Sequence, residues 1–463
     1  MPTFQIVTHA MRHLIKNDLF RIGFLEMILS TISNLRILVF VANFSLLLIP
    51  IAVAAPSGSP VGSLSSSQAQ SVLESVRPSV LQIQTLPLGS DSPYSYGSGF
   101  AVGPEKLIMT NYHVVSRVVM DPDRYRLEFL HQDGSKGALA VVAFDVVHDL
   151  AIVRGDTGLM RGLDFDQNVP KKGTRGFSIG FPQNLGITVT EGIVNGLSEN
   201  SAHGAIHFSG PVNSGMSGGP AVINSGRVFG INASSLRDSQ MISFVVPASA
   251  GVALLERARN TKVSTSADLL QELSRQLRVS STATLAFFPK GNLPLQQFGH
   301  FQAPGNPGDF ARCSATNEKE ADKLYRIDEY GCSFKDNNYV AKDLYLGRWA
   351  FRHQHIKAPN LGALRFANLV ESQMQSSDST TPTTRIHKTP WACQSRIVAL
   401  SGGRAKAVLC LRSYSRLEGV YDIDLKLVTL ADSGEALLST LTFDGFGYTE
   451  SMVFVRRFME AIL

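Results

Sequence analysis

A serine hydroxyl becomes a useful nucleophile only when an imidazole takes its proton, and the imidazole works best when a carboxylate fixes its tautomer and steadies its cation. Three short segments supply those groups. Met109-Thr110-Asn111-Tyr112-His113-Val114-Val115 places a histidine directly after an apolar run. Asp145-Val146-Val147-His148-Asp149-Leu150-Ala151-Ile152-Val153 places Asp149 directly before another. Gly210-Pro211-Val212-Asn213-Ser214-Gly215-Met216-Ser217-Gly218-Gly219-Pro220 sets Ser217 in a glycine-rich turn. Acyl transfer also needs donors for the oxyanion of the tetrahedral intermediate, and glycines let a backbone turn sharply enough to aim them. The N–H groups of Gly215 and Ser217 are the natural pair. Singly, a histidine after a strand is usually a packed residue and an aspartate before one is usually a cap. What gives the three weight is their order, His then Asp then Ser, within one block of strand-like sequence.

That block begins near residue 69. Short β-branched runs such as SVLQIQT, YRLEFL, ALAVVAFD, LAIVRG, GFSIGF and RVFGINA are separated by Gly, Pro, Asn and Asp. About a dozen short strands at close spacing predict an all-β barrel or sandwich. All three candidate residues then sit at strand ends, where loops carry function. Residues 260–280 contain TSADLLQELSRQLR, with apolar residues at helical spacing and a capping pattern at its start. This reads as a helical linker. Beyond it, residues 281–463 mix helical stretches (LGALRFANLVESQMQ and SMVFVRRFMEAIL) with alternating runs such as AKAVLCLRSYSR and VYDIDLKLVTLAD, an α+β pattern.

Across residues 70–255 the chain resembles the chymotrypsin-fold serine proteases, and among them the HtrA (Deg) proteases. The resemblance rests on PSVLQIQT, GSGFAV, TNYHVV, HDLAIV, GFSIGFPQNLGITVTEGIVNGL, GMSGGPAV, GRVFGINA and SFVVPAS, in that family's order. It implies two six-stranded β-barrels with the site between them, His113 as base, Asp149 as its orienting acid and Ser217 as nucleophile. The expected fold class is therefore mainly β, a double-barrel protease domain followed by an α+β domain. By the same resemblance Pro211 lies at the base of the primary specificity pocket, with Asn232, Ala233 and Ser234 as the opposite wall. None is acidic, so Lys or Arg at the cleavage site lacks a counter-charge and small or medium apolar residues are expected. His207 offers a cation for a glutamate pocket, but is better read as an exposed strand residue. Position 216 is Met, so the salt bridge that activates trimmed zymogens cannot form. No PDZ-like carboxylate-binding loop is recognisable after residue 260.

Residues 1–55 end in an apolar run, ILVFVANFSLLLI, preceded by Arg36 and followed by small residues (Met27 is an alternative start). This is the pattern of a secretory signal, with an uncleaved membrane anchor as the competing reading. Either exports the rest, to the periplasm or outside the cell. Residues 56–68 form a Pro-, Gly- and Ser-rich linker, which leaves 69–259 for the protease domain. Four cysteines, Cys313, Cys332, Cys393 and Cys410, all lie in the second half, and export favours disulfides. The local pairings Cys313–Cys332 and Cys393–Cys410 are favoured among three. The formal net charge is +5, of which residues 1–55 hold four basic and two acidic residues. The small remaining surplus gives no footprint for nucleic acid. His353 and His355 share a strand face without further ligands beside them, so no metal and no cofactor is expected. Protein or peptide substrates are the expected partners, with an unidentified one for the second half. The competing function is a catalytically silent protease fold acting as a binding or chaperone-like scaffold.

Overall fold

The computed structural model describes residues 64–463, apart from 104–106, 159, 183–184, 200, 202, 236–241, 260, 262–264, 319–323, 376–386 and 430–433. The expected signal or anchor lies outside these residues. No described helix is long and apolar enough to cross a membrane. Gly62–Leu463 cluster as one compact unit.

Period-two alternation sends neighbouring residues of the first strands to different cores. On β1 (Val80–Pro87), Val80 joins one apolar cluster while Leu81 and Ile83 join another. β1 is followed by β2 (Ser95–Val102), β3 (Leu107–Thr110), β4 (Tyr125–Leu130), β5 (Lys136–Asp145) and β6 (Leu150–Arg154). These close into a barrel in the order β1-β2-β3-β6-β5-β4. A second barrel comes from β7 (Arg175–Gly180), β8 (Thr188–Leu197), β9 (Ile206–Phe208), β10 (Pro220–Val222), β11 (Val228–Ser235) and β12 (Ser243–Pro247). It closes as β10-β11-β12-β9-β8-β7 around Val194, Phe208, Ala221, Phe229 and Val245. The expected double barrel is therefore present, and every neighbouring pair of strands within it is antiparallel.

A helix at the N-terminal end, α1 (Leu64–Val76), precedes the first barrel. Another, α2 (Tyr112–Met120), follows β3 directly, although Val fills four of its nine positions. β-branched residues are mediocre helix formers, and tertiary burial overrides that preference here. Tyr112, Val114, Val115, Val119 and Met120 all bury into the first barrel's cluster. α3 (Ala248–Arg259) follows β12 and buries Leu254, Leu255 and Ala258 in a cluster shared with Leu150 and Ile152 of the first barrel and Val228 and Ile231 of the second.

α4 (Ser266–Leu285) opens with a true capping box. The Thr265 hydroxyl accepts from the Asp268 N–H, and the Asp268 carboxylate accepts from the Thr265 N–H. The capping pattern in the sequence is thus realised. The helix is not a spacer, however: Leu269, Leu273 and Leu277 pack into the same cluster as Val115 and Phe144. The stripe recurs every four residues, as one helix face requires. Each fully buried leucine contributes roughly 1.5–3 kcal/mol.

After α4 come the short pair β13 (Leu295–Phe298) and β14 (Phe301–Pro304). The main element is a seven-stranded antiparallel sheet. Its strands are β15 (Ala311–Glu318), β16 (Arg326–Phe334), β19 (Arg348–Lys357), β20 (Ala392–Leu400), β21 (Gly403–Ser413), β22 (Val420–Thr429) and β23 (Glu435–Gly447), in the order β15-β16-β19-β23-β22-β21-β20. Between β16 and β19 a hairpin of β17 (Asn338–Ala341) and β18 (Leu344–Leu346) leaves the sheet. One face of the sheet buries Trp349, Phe351 and Phe443 against the C-terminal helix (Tyr448–Glu460) through Phe454 and Phe458. Elsewhere on the sheet Ile356 and Leu438 pack against Phe366 and Met374 of α5 (Ala363–Met374). The α+β expectation holds. Phe288 and Trp349 are core, 4.7 Å apart between ring centroids, whereas Phe287 is 47% exposed.

Both favoured disulfides are formed, Cys313–Cys332 across β15 and β16 and Cys393–Cys410 across β20 and β21. In each case the two cysteines are direct register partners.

Candidate active site

β3 and α2 meet at Asn111, which is fully buried. Asn111 stands at the N-cap of α2 but makes no side-chain cap bond. Its amide instead donates to the backbone carbonyl of Asp149 at 2.7 Å, and the Tyr112 N–H donates to the same oxygen at 3.1 Å. These two bonds hold Asp149 at φ 54, a left-handed conformation that Asp tolerates better than most residues. The twist turns the carboxylate back onto α2. Oδ1 accepts the His113 backbone N–H at 2.8 Å, and Oδ2 pairs with ring Nδ1 at 2.6 Å. A proton on Nδ1 leaves Nε2 as the acceptor.

Partial burial by itself pushes the His113 pKa down. The Asp149 charge and its hydrogen bond outweigh that, and the pKa is raised above the ordinary 6.5. The two side chains keep 30% and 27% of their surface exposed, enough for a substrate to reach them.

Ser217 lies in the turn between β9 and β10. Gly215 and Gly218 there have φ of 94° and 85°, both in the left-handed region. Gly218 also cannot carry a side chain. A Cβ would sit 2.3 Å from the Ser98 carbonyl oxygen and from Thr110 Oγ1, and 2.9 Å from the Asn111 nitrogen. The serine turn of the second barrel therefore touches the end of β3 at Thr110, three residues before His113.

Ser98 of β2 clamps the turn from the first barrel. Its N–H donates to the Ser217 carbonyl at 2.8 Å and its hydroxyl donates to the Gly215 carbonyl at 2.7 Å. The same hydroxyl accepts the Phe181 N–H at 2.9 Å. From beneath, the Asn232 amide donates to the Ile179 and Met216 carbonyls at 3.1 and 3.4 Å. The Gly218 N–H returns a bond to the Asn232 carbonyl at 2.8 Å. Neither the Gly215 nor the Ser217 N–H enters a backbone–backbone bond among the described residues. Met216 is fully buried, away from any substrate.

The Ser217 hydroxyl donates to the Ala233 carbonyl at 3.0 Å. The remaining residues of the expected specificity pocket are distributed as follows. Pro211 is exposed, and its carbonyl accepts from Thr190 Oγ1 at 2.8 Å. Asn232 is buried under the serine turn and does not form a wall. Ala233 is half-buried beside Ser217. The side chain of Ser234 lies outside the described residues. His207 is half-buried on β9, its ring centroid 6.3 Å from that of Phe244.

The His353 ring contacts Ser439 Oγ at 2.8 Å and the Pro304 carbonyl at 2.9 Å, while His355 pairs with Glu435 at 2.5 Å. No group of three metal-ligating side chains occurs among the described residues.

Sequence reasoning passed over Ser98, Asn111 and the buried role of Asn232. Their signal lay in the small polar residues of GSGF, the Asn next to the histidine segment, and GINA.

Two closed six-stranded barrels, with a His–Asp pair on the first and a glycine-flanked serine on the second, are the architecture of the chymotrypsin fold. Residues 97–231 match the trypsin-like peptidase domain. A probable periplasmic DegP-like serine endoprotease of Brucella suis is 33% identical over 171 residues, 35% of this chain and 32% of that protein. The DegP-like protein of Rickettsia conorii is 30% identical over 40% of this chain and 39% of its own length. Serine protease HTR4 of Bos taurus is 34% identical over 38% of each. A solved serine endoprotease from Yersinia pestis aligns with 42% of this chain and 67% of its own, at 25% identity and a TM-score of 0.37. The double-barrel segment is thus similar to a trypsin-like peptidase domain and, over about a third of their length, to HtrA-type proteases. The chain matches about a third of the length of these curated relatives.

Proposed function

We propose that the protein is an exported serine endopeptidase that hydrolyses peptide bonds through Ser217, His113 and Asp149. The observation that carries this reading is the two-point grip of Asp149 on His113, made beside a serine whose turn is held open by two left-handed glycines. One contact of this grip anchors the start of α2, and the other sets the tautomer a general base needs.

In this reading Ser217 rotates from Ala233 toward Nε2, gives up its proton and attacks the substrate carbonyl. The oxyanion meets the N–H groups of Gly215 and Ser217. His113 then hands the proton to the leaving amine, which departs and leaves an acyl-enzyme. Water enters and attacks the acyl carbon as His113 takes one of its protons; the ester bond to Ser217 then breaks, the imidazolium returns that proton to the serine oxygen, and the acid product leaves. Asp149 stays ionised and stabilises the imidazolium in both halves. One oxyanion donor is worth about 3 kcal/mol of transition-state stabilisation. The exposed, uncharged Pro211 supports cleavage after small or medium apolar residues. The export-type sequence of residues 1–55 and the periplasmic naming of the relatives support action outside the cytoplasm, on protein substrates.

The bond from Ser217 to Ala233 is also what a silent scaffold would contain. A fluorophosphonate probe separates the two: the full chain should label, and Ser217→Ala should not. Absence of labelling in the wild type, or labelling that survives the substitution, removes the peptidase reading.

A further inference from the structure

A cavity of about 440 Å³ opens beside the triad and is walled by both halves of the chain. Asp149 and Ala233 form its near end, and the Ala233 carbonyl is the one that holds the Ser217 hydroxyl. Phe244 and Val246 of β12 give it an apolar side. Arg312 of β15 lines it too, with Lys335 and Asp336 from the loop between β16 and β17. Further along that same hairpin, the Tyr339 ring stands edge-on to His113 at 6.0 Å. A peptide with its scissile carbonyl at Ser217 and its neighbouring residues in this cavity must therefore meet side chains from the second half of the chain.

The charges there are unequal in their commitments. Asp149 is held by His113. Asp336 accepts from Ser201 Oγ at 3.4 Å and from the His203 N–H at 3.2 Å. His148 lies 3.1 Å from Asp145, and burial keeps the His203 pKa below its ordinary value, so His203 brings no charge at neutral pH. Arg312 and Lys335 differ. Neither enters an ion pair among the described residues, and the Lys335 ammonium reaches only the Glu199 backbone carbonyl, at 3.5 Å. Two cations that enter no ion pair among the described residues, lining a pocket with an apolar side, match a side chain with methylenes and a terminal carboxylate.

We propose that this cavity is a substrate subsite, supplied in part by the C-terminal region, that selects an acidic residue, glutamate best, near the scissile bond. It rests on the reading of Ser217 as nucleophile and adds a second point of selection to the primary pocket.

The test uses the full chain and matched fluorogenic peptides in which Glu or Gln is scanned through four positions on either side of an apolar cleavage residue. The wild type should favour Glu at one position by about two- to fivefold in kcat/KM, the size expected for a partly exposed charge pair. Arg312→Gln with Lys335→Gln should bring that ratio to about one, while the charge-keeping exchange Arg312→Lys with Lys335→Arg should retain most of it. A ratio near one at every position in the wild type overturns the proposal. So does a ratio unchanged in the double Gln variant, or one lost equally in the charge-keeping variant. If the wild type cleaves no peptide and takes no fluorophosphonate, the peptidase reading falls and the subsite with it, an outcome distinct from even cleavage of Glu and Gln peptides.

Discussion

Both carboxylate oxygens of Asp149 are committed to His113, one to its backbone N–H at 2.8 Å and the other to its ring at 2.6 Å. The first contact fixes where α2 begins, and the second fixes which ring nitrogen carries the proton. An amide at position 149 can keep the first and spoil the second. Asn also tolerates φ 54. Asp149→Asn should therefore fold with a melting temperature close to the wild type and lose about 10⁴-fold in kcat with little change in KM. Steady-state kinetics with a peptide substrate checks this, and a loss under tenfold would mean that the tautomer is set elsewhere.

The pH profile follows from the raised His113 pKa. The base must be neutral, so kcat/KM should rise with pH through an apparent pKa above 6.5. Removing the Asp149 charge leaves burial as the dominant influence, and the same limb should move acidward in Asp149→Asn. The stability linkage has the opposite sense to the rate. A raised folded-state pKa stabilises the fold below the unfolded value of 6.5, and that contribution fades as pH climbs through the folded pKa. Proton NMR titration of the imidazole in the Ser217→Ala protein reads the pKa directly.

Ser98→Ala tests the clamp on the serine turn. It leaves the Phe181 N–H and the Gly215 carbonyl without their buried partner, at a cost of about 1–3 kcal/mol for each unsatisfied group. The variant should unfold at lower denaturant and react more slowly with fluorophosphonate, because the turn that aims Gly215 and Ser217 is loosened. Unchanged labelling in a destabilised protein would confine Ser98 to a purely structural role.

Each disulfide closes a loop of similar size, 19 and 17 residues apart in sequence. Paired Cys→Ser substitution at either should cost about 3 kcal/mol. The denaturation midpoint of the variants, compared with the wild type plus and minus reductant, gives the value.

The double barrel was legible, and the three candidate residues could be singled out, because each depends on short local patterns: alternating β-branched runs, a histidine after a strand, a serine among glycines. α2 was hidden because four valines favour a strand, and only burial against the barrel makes the segment helical. Asn232 was expected at a cleft wall. Alternation along β11 decides between wall and interior, and it points the Asn232 amide under the serine turn and leaves Ala233 beside the hydroxyl. The hairpin beside His113 was invisible for a different reason. Its contacts join positions more than two hundred residues apart, and no local pattern encodes such a pairing.

The Tyr112 hydroxyl donates to the Val340 carbonyl at 3.1 Å, and Leu344, Leu346 and the three leucines of α4 share the apolar cluster of the first barrel. The C-terminal region is therefore no detachable cassette. A chain stopped after α3 would bare that greasy surface to water, so the barrels expressed alone should be less soluble than the full chain.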